Sequence, residues 1–316
     1  MKKSKTNQQL TAALVIPTYN REEVLVNTLK SALALNPAPD EILVVDQTLE
    51  HEEATRRFLK MAHQKGNIRW IHQGPPSLTA ARNRAIAETK SDILIFIDDD
   101  VILPKNFVAK HLHNYKNEKT QSVAGGVIQE NKPIYPPAPR GGWPRVLDYH
   151  YFSVYNQKRT EGVATFMGCN HSVRTSVLKR LGGYDTHYIG SAFREDTDMA
   201  VRIWKNGGLI IFDPEARLTH LAAPSGGCRI NSAPKSNPEW WVSFNRHYFS
   251  FRHLFLTREF WWLILFKDFR QSVLRKANLL KPWRLPKAFL SYVYSIYRAA
   301  IMTIRKNREE NEKKKP

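Results

Sequence analysis

Cysteine is scarce in this chain, and long apolar runs are absent. The 316 residues include two cysteines, Cys169 and Cys228, which are too few for a disulfide framework and lack the spacing of a metal-binding cluster. No stretch of about 18 uncharged apolar residues occurs, so the sequence predicts no membrane-spanning helix. These absences exclude a disulfide-rich scaffold and favour a reduced compartment.

Acidic residues are also scarce relative to basic ones. The chain has 48 Lys and Arg against 29 Asp and Glu, a net charge of +19 at pH 7. Residues 239–316 hold 17 of the basic residues and 6 of the acidic ones, a net charge of +11. This concentration of positive charge predicts contact with an anionic surface, either lipid or nucleic acid.

Residues 1–11 are predicted to form a basic tail. The apolar stretch after its three lysines imitates a secretory signal, but it is short and runs into Pro17 without a small-residue cleavage site. A buried strand is therefore predicted there.

Short apolar runs alternate with helical periodicity along the first hundred residues. Strands are predicted at 12–16, 41–45, 68–71 and 91–97, and helices at 21–35 and 78–89. This order is typical of a parallel, doubly wound α/β sheet with helices on both faces. Further strands are predicted at 122–129, 209–212 and 217–221, with helices at 175–181 and 196–205. A loop-rich segment near residue 226 suggests a domain boundary.

The most informative feature is an apolar strand that ends in three acids, Asp98, Asp99 and Asp100. Burying this cluster unpaired is prohibitive, so the acids must meet a cation, a ligand or water. Alternate residues of an extended chain point the same way, so Asp98 and Asp100 can share one site. Such an oxygen pair suits Mg²⁺ or Mn²⁺, and the alternative is a solvated loop.

Ligands of such sheets bind at the carboxyl ends of the strands. Thr18 and Asp46 also lie at predicted strand ends, so three separate turns can converge on one ligand.

Eight motifs occur in an order that resembles the family 2 glycosyltransferases of the GT-A fold. They are VIPTYNR (15–21), VVD (44–46), ARNRAI (81–86), IFIDDD (95–100), GCNHSVR (168–174), LGGYD (181–185), REDTDMAVRIWKNG (194–207) and FDPEARLTH (212–220). Each motif is weak alone, but their order and spacing are specific. The resemblance covers residues 12 to 222 and implies a GT-A Rossmann-like mixed sheet. One departure is the sequence Gln47-Thr48-Leu49, where many members carry a further Asp and small residues.

The resemblance implies a nucleotide-diphospho-sugar donor and a divalent metal, Mn²⁺ or Mg²⁺. The residues expected to bind the nucleotide-sugar are Pro17, Thr18, Asp46, Arg82, Asp98, Asp99 and Asn170. Asp98 and Asp100 match the family's metal-binding DxD, and His220 matches a further metal ligand of some relatives. For His220 the alternative is a structural histidine.

Asp196 matches the family's general base, with Glu195 as the other member of a catalytic acid pair. A base at Asp196 would take the proton from an acceptor hydroxyl, and one base with direct displacement implies inversion. The alternative is structural, because acids are favoured in the first turn of a helix. Loops at 125–143 and 184–193 are expected to set the choice of sugar and acceptor.

The C-terminal part is predicted to be a helical, basic extension. It holds five of the eight tryptophans, and Phe289, Val293, Ile296, Tyr297, Ala300 and Ile304 recur at helical spacing, with Ser291, Ser295, Arg298 and Arg305 opposite. Such a helix suits either a membrane interface or packing on a catalytic domain. The predicted domains are 1–11, 12–225 (catalytic), 226–305 (extension) and 306–316 (a charged, disordered tail).

Together these features predict an inverting, metal-assisted glycosyltransferase. Its acceptor would be a glycan or a lipid-linked molecule, and it would be peripheral on the cytoplasmic face of the cell membrane. An aspartyl-nucleophile phosphatase is a rival, but there the acid cluster follows the first strand, whereas here it follows about the fourth. A basic nucleic-acid-binding protein is the other rival. No nucleic-acid module signature is visible, so no nucleic acid partner is expected.

Overall fold

A computed structural model describes residues 10–129, 159–227, 240–253 and 261–312. The chain divides into two units. The first comprises Met1–Asp185 with Glu195–Gly227, and the second comprises Thr186–Arg194 with Cys228–Pro316. The loop Thr186–Arg194, which the sequence analysis assigned to the catalytic domain, thus belongs to the second unit.

One mixed sheet forms the frame of the first unit. Its described strands are Ala12–Thr18 (β1), Glu41–Asp46 (β2), Arg69–His72 (β3), Ile93–Ile97 (β4), Val101–Ile102 (β5), Thr120–Gln129 (β6), Thr160–Glu161 (β7), Asn170–Arg174 (β8) and Leu209–His220 (β9). The spatial order is β3-β2-β1-β4-β8-β6-β9-β5, and β7 pairs with β9.

The half that contains β1 to β4 is parallel, as predicted. All residues of β1 and β4 are buried, because helices cover both faces of a parallel sheet. Alternate residues point to opposite faces, so Leu14 packs into one hydrophobic layer and Val15 into the other.

Six helices accompany this sheet in the described part of the first unit. They are Glu23–Leu33 (α1), Glu53–Gln64 (α2), Leu78–Glu88 (α3), Phe107–His113 (α4), Thr175–Arg180 (α5) and Glu195–Lys205 (α6). Helix α3 begins after Ser77, whose hydroxyl oxygen accepts a hydrogen bond from the Ala80 N–H. Helix α2 was not predicted, although its buried residues Thr55, Leu59 and Ala62 recur every three or four positions.

The other half of the sheet contains antiparallel pairs. Strand β8 lies antiparallel to both β4 and β6, whereas β6 and β9 are parallel with register shifts. The sequence predicted two strands, at 209–212 and 217–221, but β9 is continuous because a bulge opposite Gly125 absorbs the extra residues.

The second unit is helical over its described residues from Trp240 onward, whereas its segment Thr186–Arg194 contains no helix or strand. Its helices are Trp240–Arg252 (α7), Trp261–Ser272 (α8), Lys276–Leu279 (α9) and Leu285–Glu312 (α10), with a short 3-10 turn at Pro282–Arg284. The His247 ring of α7 lies 2.8 Å from an Asp268 oxygen of α8 and 3.1 Å from the Ser295 hydroxyl of α10. Buried polar contacts therefore join three helices.

Two predictions about the C-terminal part can be compared with this unit. A disordered tail was predicted from residue 306, but α10 continues to Glu312, and residues 313–316 lie outside the described part of the chain. No helix among the described residues is long and apolar enough to cross a membrane.

Candidate active site

The carboxyl ends of three neighbouring strands meet at one edge of the sheet. Thr18, the last residue of β1, pairs with Asp46, the last residue of β2. Strand β4 lies on the other side of β1 and continues directly into Asp98. The predicted convergence of three turns is therefore present.

Asp98, Asp100 and His220 form a cluster whose potential ligand atoms all lie within 4.8 Å of one another. His220 Nε2 is 3.1 Å from Asp100 Oδ1 and 3.6 Å from Asp98 Oδ2. Burial disfavours the imidazolium, but the hydrogen bonds and charges of Asp100 and Asp98 outweigh it and raise the pKa of His220 to about 9. Two carboxylates and one imidazole are a donor set that fits Mn²⁺.

Strand pairing brings His220 to the acids across 120 positions of sequence. The short strand β5 directly follows the acid cluster, and its Val101 pairs with His220 at the end of β9. The side-chain amide of Gln129 lies 2.7 Å from His220 Nδ1 and orients the ring. The sequence analysis missed Gln129 because its relation to His220 depends on the pairing of β6 with β9.

Asp99 points away from this cluster and is buried. Its carboxylate accepts hydrogen bonds from the Thr18 hydroxyl at 2.8 Å and from Arg21 Nε at 3.1 Å. Arg21 also lies 3.2 Å from Asp100 Oδ2, so one guanidinium neutralises two acids. Burial nevertheless raises the pKa of Asp99 to about 7. Arg21 belongs to the motif VIPTYNR, but no role was predicted for it, although three adjacent acids indicate a nearby cation.

Arg82 pairs with Glu195 in the interior, where both side chains are almost fully buried. Arg82 Nη2 also donates a 2.9 Å hydrogen bond to the Gly168 carbonyl. Burial favours neutral Arg82, but the charge of Glu195 outweighs this and raises the pKa of Arg82. Burial likewise raises the pKa of Glu195, to about 8, against the effect of Arg82. Arg82 therefore holds the first turn of α6, a role that the sequence analysis did not anticipate.

Asp196 differs from Glu195 in being partly exposed. Its carboxylate accepts hydrogen bonds from the Gly168 N–H at 2.8 Å and from the Thr197 N–H at 2.6 Å. A side chain at position 168 would crowd this arrangement, because a Cβ there would lie 3.0 Å from Arg82 Nη2 and 3.4 Å from Asp196 Oδ2. The glycine thus lets the backbone bind both groups.

The acid cluster and α6 face the same region. Burial raises the pKa of the Cys169 thiol, and the charges of Asp98, Asp196 and Asp100 raise it further. Asp98 also acts electrostatically on Glu195. Asp98 directly follows Ile97, which pairs with Asn170 of β8, and Gly168, two residues before Asn170, donates its N–H to Asp196. The candidate metal ligands and the candidate base therefore lie in one site.

Asp46 is more enclosed than a nucleotide-contacting residue was expected to be. It is fully buried and accepts hydrogen bonds from the Thr48 N–H at 2.9 Å and the Trp70 ring N–H at 2.8 Å. His51 Nε2 lies 2.8 Å from Asp46 Oδ2, the oxygen that also accepts from Trp70. Burial opposes ionisation, yet these hydrogen bonds lower the pKa of Asp46. His51 and Trp70 were missed, since neither belongs to a motif.

The role predicted for Asn170 must be corrected. It was expected to face sugar, but it is fully buried in the sheet. Its amide donates 2.8 Å hydrogen bonds to the carbonyls of Gly126 and Ala216, and its oxygen lies 3.0 Å from His111 Nε2. Its amide nitrogen joins β8 to β6 and β9, and its oxygen joins β8 to α4, so its role is structural.

Comparison with known proteins agrees with this geometry. A family model described as Glycosyl transferase family 2 matches residues 13–182, more than half of the chain. The chain belongs to glycosyl transferase family 2. Membership in this family confirms the predicted family and class of enzyme, and it removes the phosphatase-like and nucleic-acid-binding interpretations.

Curated relatives in this family are distant. The succinoglycan biosynthesis protein ExoM of Rhizobium meliloti is 27% identical over 213 residues, which cover 66% of this chain and 66% of ExoM. The O-antigen chain rhamnosyltransferase RfbN of Salmonella typhimurium is 26% identical over 215 residues, covering 66% of this chain and 65% of RfbN. The chain spans about half to two thirds of the length of the curated relatives it matches.

One solved structure is similar to this chain along most of its length. It is the mannosyltransferase PcManGT from Pyrobaculum calidifontis in complex with GDP-Man and Mn²⁺. The TM-score is 0.51 at 18% sequence identity, covering 96% of this chain and 81% of that one. The similarity confirms the predicted mixed α/β fold class.

Proposed function

We propose that this protein is an inverting glycosyltransferase that moves a sugar from a nucleotide-diphospho-sugar to a hydroxyl of a glycan or lipid-linked acceptor. The observation that carries the proposal is the arrangement of Asp98, Asp100 and His220 in the same site as the partly exposed Asp196. Asp98, Asp100 and His220 suit the binding of a diphosphate with its metal, and Asp196 suits the binding of an attacking hydroxyl.

Donor binding is assigned to the ends of β1, β2 and β4. Pro17, Thr18 and Asp46 shape the nucleotide part of the site, and Asp98 reaches the donor. Asp98, Asp100 and His220 would hold Mn²⁺ or Mg²⁺. A divalent ion bound there supplies positive charge against the charge that develops on the leaving diphosphate. Asp99 stabilises the turn after β4 by accepting hydrogen bonds from Thr18 and Arg21.

Asp196 is the better candidate for the base of the two acids. Glu195 is buried and paired with Arg82, whereas Asp196 is partly exposed and is oriented by two backbone N–H groups. Asp196 would accept the proton of the acceptor hydroxyl as its oxygen attacks the sugar carbon. One base and one displacement give inversion at that carbon.

The relatives support the proposed substrates. PcManGT was solved with GDP-Man and Mn²⁺, which supports a nucleotide-sugar donor and a divalent metal for this chain. ExoM and RfbN act in succinoglycan biosynthesis and on the O-antigen chain, which supports a role in cell-envelope polysaccharide synthesis. Because such acceptors can be lipid-linked, we place the protein on the inner face of the cell membrane as a peripheral enzyme.

A thermal-shift panel tests the donor and the metal together. UDP-, GDP-, dTDP- and CMP-sugars are each added with and without Mn²⁺, because a ligand at about 100 times its Kd stabilises a protein by about 2.7 kcal/mol. We expect stabilisation by sugars of one nucleotide, with a Mn²⁺-dependent part that Asp100→Asn removes. The exposed Glu53→Gln is the matched control and should behave like wild type. Stabilisation by none of the donors would contradict the donor class, and turnover undiminished in excess EDTA would contradict the metal role.

A further inference from the structure

Helix α9, the turn Pro282–Arg284 and helix α10 expose large apolar side chains, and we call this region the basic-apolar surface. The exposed fractions are 55% for Leu279, 69% for Leu280, 72% for Trp283 and 68% for Leu290. Isolated exposed apolar residues are ordinary, but several within twelve residues of chain indicate an interaction site.

Helix α10 has one buried face and one exposed apolar face. Tyr292, Ser295 and Ala299, spaced by three and four residues, are buried. Leu290, Val293, Tyr297 and Ile304 recur at the same spacing on the opposite side and are exposed. The exposed stripe therefore has no partner within the part of the chain that the structure describes, and the helix already has a buried face that packs.

The charge of this region is of one sign. No Asp or Glu occurs between Asp268 and Glu309, a stretch that contains ten Lys and Arg residues. Lys287, Arg298 and Arg305 recur on one side of α10 at spacings of 11 and 7 residues, beside the exposed stripe.

Neither Arg275 nor Arg284 has an acidic partner among the described residues. Burial lowers the pKa of Arg275, and the charge of Arg284 lowers it further. Arg275 Nη2 is a buried donor that has no hydrogen-bond acceptor within the part of the chain that the structure describes. Positively charged side chains with a donor that lacks an acceptor favour the binding of an anion.

We propose that the basic-apolar surface binds the surface of an anionic phospholipid bilayer. Lys281 and Arg284 would bind headgroup phosphates, while Leu280, Trp283 and Leu290 enter the boundary between headgroups and acyl chains. The inference extends the membrane localisation of the proposed function, but it rests on the second unit alone and not on the catalytic site.

A bilayer explains both properties of the surface, whereas other anionic partners explain one. Nucleic acid would match the arginines and lysines but leave the exposed leucines in water. An acidic protein could cover the leucines, but a bilayer also accounts for a tryptophan at the border between apolar and charged residues.

The test is co-sedimentation of the full chain with vesicles, without any measurement of transfer. Vesicles of phosphatidylcholine alone are compared with equal mixtures of phosphatidylcholine and phosphatidylglycerol. We expect binding to the mixed vesicles only. High salt should remove part of it, since the screening length falls from about 10 Å at 0.1 M to about 3 Å at 1 M.

Two pairs of substitutions separate the charged and apolar contributions. Lys281→Gln with Arg284→Gln should weaken binding about fivefold for each charge, roughly 25-fold in all. Leu280→Ser with Trp283→Ser should remove the binding that survives high salt. The matched controls are exposed residues of α2 and the residue that follows it: Lys60→Gln with Lys65→Gln, and Met61→Ser. They should bind like wild type.

Several outcomes would overturn the proposal. Wild-type protein that stays in the supernatant with acidic vesicles, or control variants that lose as much binding as the test variants, would each do so. Tighter binding to duplex DNA than to acidic vesicles would indicate a nucleic-acid surface instead. Because the nucleotide-sugar thermal shift is recorded on the same variants, loss of vesicle binding with an intact shift keeps this inference separate from the proposed catalytic function.

Discussion

The charged residues at the site of the first unit and those between Asp268 and Glu309 in the second unit differ in whether they have acidic partners nearby. In the first unit, buried charged groups have partners: Arg82 pairs with Glu195, and Arg21 pairs with Asp99 and Asp100. In the second unit, the stretch between Asp268 and Glu309 has basic residues and no acid. Buried charges are expensive unless paired, so the first arrangement organises an internal site, whereas the second is suited to an external anionic partner.

Apolar residues differ between the units in the same direction. The apolar residues of β4 are all buried beneath helices, while α10 exposes Leu290 and Tyr297. Both segments have regular apolar periodicity. Apolar periodicity therefore identifies the apolar face of a strand or helix, but it does not show what covers that face.

The largest expected effect is on the buried ion pair. At pH 9, above the pKa of Glu195, Arg82→Met should lower the free energy of unfolding by about 3–5 kcal/mol, because it leaves the Glu195 carboxylate buried and unpaired. Urea denaturation measures this loss. The exposed pair of Arg56 and Glu53 is the control, and Arg56→Met should change stability little.

The pH dependence of this loss has a definite sign. Burial already raises the pKa of Glu195 to about 8, above the value of a free carboxyl group, so the folded protein binds this proton more tightly than the unfolded chain. Arg82 lowers this pKa, so it should rise further in Arg82→Met. The loss should therefore be smaller near pH 5, where Glu195 is protonated with or without Arg82, and larger above pH 8, where only the wild-type Glu195 ionises. A loss that is equal at both pH values would show that Glu195 is not the cause.

The next effect is on the chemical step. Asp196→Asn should lower kcat by about 10² or more, the scale of lost general-base catalysis, while the donor-induced thermal shift stays the same. Steady-state kinetics with the donor identified by the panel measure it. If turnover stays near wild type, Asp196 is only a first-turn acid of α6, and Glu195 becomes the residue to test.

The smallest effect is expected on the stability of the second unit. Lys281→Gln with Arg284→Gln should change the free energy of unfolding by no more than about 0.5 kcal/mol, because surface substitutions rarely do more. Removing the repulsion between Arg284 and Arg275 favours a slight gain. A loss well above 1 kcal/mol in urea denaturation would mean that these residues pack within the chain, and the contrast between the units would fail.

Much of the first unit could be predicted from the sequence. The strands β1 to β4, the parallel order and the position of Asp98 and Asp100 at a strand end follow from apolar runs and the residues that end them. Helix α2 was missed because its buried residues are few and its surface is strongly polar. The strand β9 was divided in two because a bulge is not visible in apolar periodicity.

By itself, the sequence determined the fold class, the family and the residue types of the site, since these depend on local patterns and on the order of motifs. Tertiary structure decided which groups meet. It placed His220 against Asp100 through the pairing of β5 with β9, gave Arg82 to Glu195, and enclosed Asn170 between β6, β8 and β9. It also buried Ser295, which was predicted on the polar side of α10, and it left Val293 and Tyr297 of the predicted apolar stripe exposed. The physical reason is that a partner's identity depends on which distant strand or helix lies alongside, and no property of neighbouring residues records that.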